Sequence, residues 1–262
     1  MRNLIRSAVA PLFDWRLVTL HLAGNALLFA AVTLWLLIPE GHAWQLLLSA
    51  ISGLLILFAF TWLHCGTLVH GLTPVRESLN RDFRLSVRHL PVWMVFIGVL
   101  ALLMIWLEKT SERSWQISGY FFTRLPHFLQ GSIGESRFHD WVLVKFYVLI
   151  WFLLPALFLP FLSAASSSGF SLGGFGKALR TYARWKYWLA VAVAALLGIW
   201  VPNVLVNWTP LHGLAKETIS MVLRLLAAYM LAVAAWLMTS AVVGSFLQAA
   251  PRVNNVGGNA VG

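Results

Sequence analysis

Few side chains in this sequence can do chemistry, and those inside its long apolar runs carry the most meaning. Removing an ionisable group from water costs several kcal/mol unless it finds a partner or reaches the interface. His21 and Asn25, four residues apart, share one face of the first run, while His64 and Cys65 lie near the end of the second. Antiparallel runs place His21 and His64 at matching depth. Two such histidines have the chemistry of axial haem ligands or, with Asn25 and Cys65, of a proton path. The competing reading is that they hydrogen-bond backbone carbonyls or water near the headgroups.

Lys145 and Arg224 enter the outer ends of the fourth and sixth runs. Side chains of this length can snorkel to the interface. Facing inward instead, they form a positive outer pocket for a lipid phosphate or a small anion, with Asp140 and Glu217 as neutralising neighbours. Pro155 and Pro160 in the fourth run and Pro202 in the fifth remove helical donors, so the carbonyls of Trp151, Ala156 and Gly198 are expected to lose their partners. Interrupted helices bind solutes in some transporters. Kinks that only shape a bundle are the alternative.

No catalytic set emerges. The chain lacks HExxH, GxSxG, a metal-ligand spacing and a paired intramembrane carboxylate. Gly173, Gly174, Gly176 and Lys177 hint at a phosphate loop, but Ser171 and Ala178 occupy positions that need Gly and Ser or Thr, and no strand precedes them. An enzyme is therefore not expected, nor a resident cofactor or metal.

The elements that position these residues follow from composition. With 60% hydrophobic and 11% charged residues, the chain has too little polar surface to cover a globule in water. A single cysteine excludes an internal disulfide framework. The expected class is all-α, a polytopic integral membrane protein forming one membrane-embedded domain. A bilayer core about 30 Å thick needs roughly 20 helical residues. Six runs qualify: Leu17 to Ile38, Trp44 to Val69, Pro91 to Leu107, Trp141 to Leu162, Tyr187 to Val206 and Thr218 to Leu247. The first is too long for a signal peptide and lacks a cleavage site, so it reads as an anchor.

Charge sets the orientation, because short loops rich in Lys and Arg stay cytoplasmic. Arg2, Arg6, Arg16, Arg76, Arg81, Arg84, Arg88, Lys177, Arg180, Arg184, Lys186 and Arg252 make twelve on one side. Lys109, Arg113, Arg124, Arg137 and Lys216 make five on the other. Both termini are thus expected in the cytoplasm, in the cytoplasmic (inner) membrane of a bacterium. The net charge of +10 reads as topology and attraction to anionic headgroups, not as a nucleic-acid site.

Three basic stretches are expected to form amphipathic helices lying in the cytoplasmic interface. In the second connection Val75, Leu79, Phe83, Ser86, Val87 and Leu90 share one face, opposed by Glu77, Arg81, Arg84 and Arg88. In the fourth, Phe175, Leu179, Tyr182 and Ala183 oppose Lys177, Arg180 and Arg184. The segment before Trp15 is a weaker version. Each precedes a pair of runs, which suggests a unit of basic helix, span and span. Ser163 to Gly176 reads as a hinge, and the long third connection as an apolar cap on the outer side. Three functions fit: a structural or accessory subunit engaging lipid or a membrane partner, a transporter or channel for a small solute or lipid, and a haem-binding redox subunit.

Overall fold

The computed structural model describes residues 2–39, 41–72, 79–169, 171–208 and 213–248, and among them it is all-helical. The order is α1 (Arg2–Val9), a 3-10 turn (Ala10–Phe13), α2 (Trp15–Leu36), α3 (Ala43–Leu72), α4 (Leu79–Val87), α5 (Leu90–Ser111), α6 (Ser114–Phe122), α7 (His127–Ile133) and α8 (Glu135–Val148). A π-helical turn (Leu149–Leu153) joins α8 to α9 (Leu154–Ser168), and α10 (Leu172–Tyr182) follows. The chain ends in α11 (Trp185–Ala195), a second π-helical turn (Leu196–Trp200), α12 (Val201–Asn207) and α13 (Leu214–Gln248). Pro74, Val75, Arg76, Glu77 and Arg252 lie outside the described residues.

Six helices are long and apolar enough to span a membrane: α2, α3, α5, α8 with α9, α11 with α12, and α13. A short helix precedes each pair. Local chemistry sets several starts. Asp14 caps α2 by accepting from the Leu17 N–H, Ser171 caps α10 by accepting from the Gly174 N–H, and Pro91 sits in the first turn of α5. α13 has 35 residues, about 52 Å of helix, so it exceeds the hydrocarbon and must tilt or project.

The expected hinge is mostly helix. α9 runs through Ser168, the break falls at Gly169 with φ +60°, and α10 begins at Leu172. Within α9 Ser166 is used inside the bundle, donating to Leu162 O and accepting from the Trp93 indole at 2.7 Å. The third connection is also helical, α6 packing against α8 through Trp115 stacked on His139 and Ser114 Oγ 3.0 Å from His139 Nε2.

Packing is uneven along the membrane normal. Buried residues gather at the end of the bundle where the basic segments lie: Leu17 and His21 of α2, Leu63 to His70 of α3, Leu90 and Trp93 of α5, Ala156 to Ser166 of α9, Tyr187 and Val191 of α11, and Val233 to Leu247 of α13. We call this the basic end. Toward the far end α2 and α3 expose Leu27, Phe29, Leu34, Leu47, Leu54 and Leu55. α3 and α13 approach closely, so that a Cβ on Gly244 would clash with Gly71 O.

Candidate functional site

His21 is fully buried and fastens α2 to α3. Its Nε2 lies 2.5 Å from Thr67 Oγ1, and the Thr67 hydroxyl donates to Leu63 O at 2.8 Å. A hydroxyl has one proton, so Thr67 must accept from His21, which fixes the imidazole as the Nε2–H tautomer. Its Nδ1 is then an acceptor, 3.4 Å from Asn25 Nδ2, whose second proton goes to His21 O at 2.9 Å. The chain Asn25–His21–Thr67 ends on a backbone carbonyl and carries a proton no further. Both ring nitrogens are engaged, so His21 does not fit a haem ligand without dismantling the clasp.

His64 behaves differently. Its ring centroid lies 5.7 Å from His21, 4.3 Å from Phe60 and 5.0 Å from Trp236, but its buried Nδ1 has no hydrogen-bond partner among the described residues. Cys65 is sealed beside Ser166 Oγ at 3.6 Å and is not part of this group.

The prolines interrupt the regular helix locally. The π-helical turns fall directly before Pro155 and Pro202, where widening the helix relieves the ring's clash with the preceding turn. The Ala156 carbonyl, deprived of a donor by Pro160, accepts from the Tyr187 hydroxyl, and Leu157 O accepts from Tyr182. Burial pushes the Tyr182 phenol well above its ordinary value, so it remains a donor.

Lys145 and Arg224 are not brought together. Lys145 is exposed, its ammonium 4.5 Å over the Trp141 ring on its own helix, in a depression shared with Arg124. Arg224 is buried and donates from Nη1 to Leu205 O (3.3 Å) and Val206 O (3.2 Å), and from Nε to Ser220 O (3.2 Å). It thereby satisfies the carbonyl end of α12, where a cation also suits the helix dipole.

The basic end holds the remaining candidates. Arg81 and Arg84 of α4, Arg88 just after it, and Lys177 and Arg180 of α10 are exposed, while Arg184 donates to Phe246 O at 3.1 Å. The apolar faces differ from the helical-wheel reading at three positions: Val87, Leu179 and Ala183 are exposed, on the side of the cations. The inward face of α4 instead carries an acid. Asp82 is 1% exposed, with Oδ2 2.7 Å from His70 Nδ1, and His70 Nε2 lies 3.8 Å from Asp14 Oδ2. This Asp–His–Asp group joins α4 and the end of α3 to the cap of α2. Its sequence signal was the position of Asp82 between Leu79 and Ser86 on the apolar stripe. Among the described residues no His, Cys, Asp and Glu group is arranged to hold a metal ion.

No protein family, curated protein or solved structure matches the chain. Function must be argued from the geometry alone.

Proposed function

We propose that this chain is a non-enzymatic accessory protein of the cytoplasmic membrane, with its basic end in the cytoplasm and bound there to anionic lipid headgroups. The observation that carries this reading is what α4, α10 and the segment before α2 turn outward. Leu172 is 92% exposed and Phe13 82%, and Trp15, Leu85, Val87 and Leu179 are exposed as well, interleaved with Arg16, Arg81, Arg84, Arg88, Lys177 and Arg180. Apolar groups and cations at one level suit the membrane interface, where acyl chains and phosphates lie within one side chain's length of each other. In water alone that surface would be an aggregation hazard.

The reading also explains why α4 is tied down so firmly. Asp82 to His70, and Trp62 Nε1 to Phe83 O at 3.1 Å, hold the helix on α3 with its cations facing out. A Cβ on Gly66 would stand 2.6 Å from the Phe83 ring, so glycine there permits the close contact. A solute transporter built on Lys145 and Arg224 gains no support, because the two line separate depressions. A redox subunit gains none from His21.

Each cation near an anionic surface is worth about 1 kcal/mol. Protein released in mild detergent is expected to retain phosphatidylglycerol in preference to phosphatidylcholine, measured by native mass spectrometry. The variant R81Q/R84Q/R88Q/K177Q/R180Q is expected to lose that preference while keeping its melting temperature. Equal retention of both lipids by the native chain overturns the reading. For orientation, a cysteine at Arg84 is expected to react with a membrane-impermeant maleimide only after cells are opened, and one at Arg137 in intact cells. The reverse pattern refutes it.

A further inference from the structure

α3, α5, the joined helices α8–α9 and α11–α12, and α13 surround a cavity of about 560 Å³ within the membrane-spanning part. This is the size range of sites for small organic ligands, about 300–1,000 Å³. Its wall is apolar and aromatic, including Phe60, Trp93, Trp151 and Phe152, and no Lys, Arg, Asp or Glu lines it. Both π-helical turns contribute to it, through Trp151 and Phe152 in one and Gly198 and Ile199 in the other. Such turns recur where a helix is reshaped for a ligand.

Polar groups in the wall separate into two kinds. Thr239 Oγ1 donates to Ala235 O, and Trp93 Nε1 to Leu162 O and Ser166 Oγ, so both are used internally. His64 and Trp236 are not. Their rings stand perpendicular with centroids 5.0 Å apart, and His64 Nδ1 and Trp236 Nε1 are buried with no hydrogen-bond partner among the described residues. An unmet polar group in a low-dielectric interior is costly. With the His64 proton on Nδ1, the two are donors side by side in the wall of one apolar cavity, and they call for a single molecule that supplies hydrogen-bond acceptors there.

The geometry points to a binding site for an isoprenoid quinone, its ring among the aromatic side chains, its carbonyl oxygens accepting from His64 and Trp236, and its tail leaving into the bilayer. Phosphate headgroups find no cation in the wall. A plain acyl chain has no acceptor. A quinone ring is flat, neutral and twice an acceptor, and it reaches the site from the membrane without crossing water. The site is one of binding, with no electron transfer assigned. It requires the chain to lie in a bilayer but not its basic end to bind headgroups.

The test uses the purified full chain in zwitterionic nanodiscs, titrated with decylubiquinone, with n-decylbenzene as a competitor of similar body that lacks carbonyls. The expected result is saturable binding of about one quinone per chain, tenfold or more tighter than decylbenzene, the worth of about 1.4 kcal/mol. W236F and H64L are expected to weaken quinone binding about tenfold each, at a melting temperature close to that of the native chain. A photoreactive azidoquinone is expected to label Trp151, Phe152 or Ile199. Non-saturable partitioning, or equal affinity for decylbenzene in the native chain, overturns the assignment even if a variant does not fold. Equal retention of both lipids by the native chain, with quinone binding intact, refutes the accessory reading and leaves this one standing.

Discussion

Replacing Tyr187 by Phe tests whether a proline in one span is compensated by a hydroxyl from the next. Pro160 has no N–H, so the Ala156 carbonyl lacks its helical donor, and the Tyr187 hydroxyl supplies one. Ala156 and Tyr187 are both fully buried, so water cannot substitute. Phenylalanine keeps the ring, which stands edge-on to Phe246 at 6.2 Å, and removes only the donor. Leaving a buried carbonyl unmet costs about 1–3 kcal/mol, and membrane double-mutant cycles for interhelical bonds average about 0.6 and reach about 1.7. We expect Y187F to cost about 1–2 kcal/mol, a fall of roughly 2–8 °C in melting temperature. In a P160A background residue 160 regains its N–H and can serve Ala156 itself, so Y187F is expected to cost less than about 0.5 kcal/mol. The assay is unfolding in mixed detergent with increasing SDS, followed by tryptophan fluorescence, on the native chain, both single variants and the double. Equal losses in the two backgrounds, or none in the native one, refute the compensation.

Three further outcomes are expected. G244A places a Cβ against Gly71 O and is expected to cost about 3 kcal/mol or more by prising α13 from α3, whereas G98A, with nothing within 4 Å, is expected to change stability by less than about 1 kcal/mol in the same unfolding assay. D82A strips His70 of its buried partner and is expected to cost about 3–5 kcal/mol, while D82A/H70A costs less than the sum of the single variants, read by the same double-mutant cycle. R224M leaves Leu205 O and Val206 O, at the end of α12, without their side-chain donor and is expected to cost about 1.5–3 kcal/mol, with R224K recovering only part because an ammonium cannot reproduce the guanidinium fork.

The six spans were legible because continuous apolar runs have no other use at this length. Their ends were less so. Helix hydrogen bonding continues through Glu108–Ser111 and Ser163–Ser168 regardless of polarity, so hydropathy stops before the helix does. The core was not legible either. A span that faces lipid is apolar on every side, so the contrast that marks the buried face of a soluble helix is missing. At the candidate site the pattern repeats. His21 with Asn25 could be read from i, i+4 spacing, and the carbonyl freed by Pro160 from proline chemistry. Thr67, Tyr187 and the carbonyls served by Arg224 could not, because each lies on another helix at a register no local signal gives. Asp82 is the instructive miss. Its place on an apolar stripe required a partner, and His70 was the nearest histidine upstream.

Lipid gives apolar helices little reason to associate, so what holds this bundle is the polar and small-residue contact it can make. Those contacts are distributed unequally. At the basic end and toward mid-membrane, hydrogen bonds join spans distant in sequence or order: Tyr229 to Leu22 O, Trp93 to Leu162 O, Arg184 to Phe246 O and Gln248 to Leu72 O. At the far end Trp35 to Ser49, Ser114 to His139 and Arg224 to Leu205 join only sequence neighbours. A bundle fastened at one end and held at the other by local links must open between its spans somewhere in the middle, and the aromatic cavity above Trp93 lies there. Fold and ligand site are thereby separable. Substitutions at the fastened end act on stability, whereas Trp151 and Ile199, which are exposed yet line the cavity, can be changed at little cost to the fold and should report only on what the cavity holds.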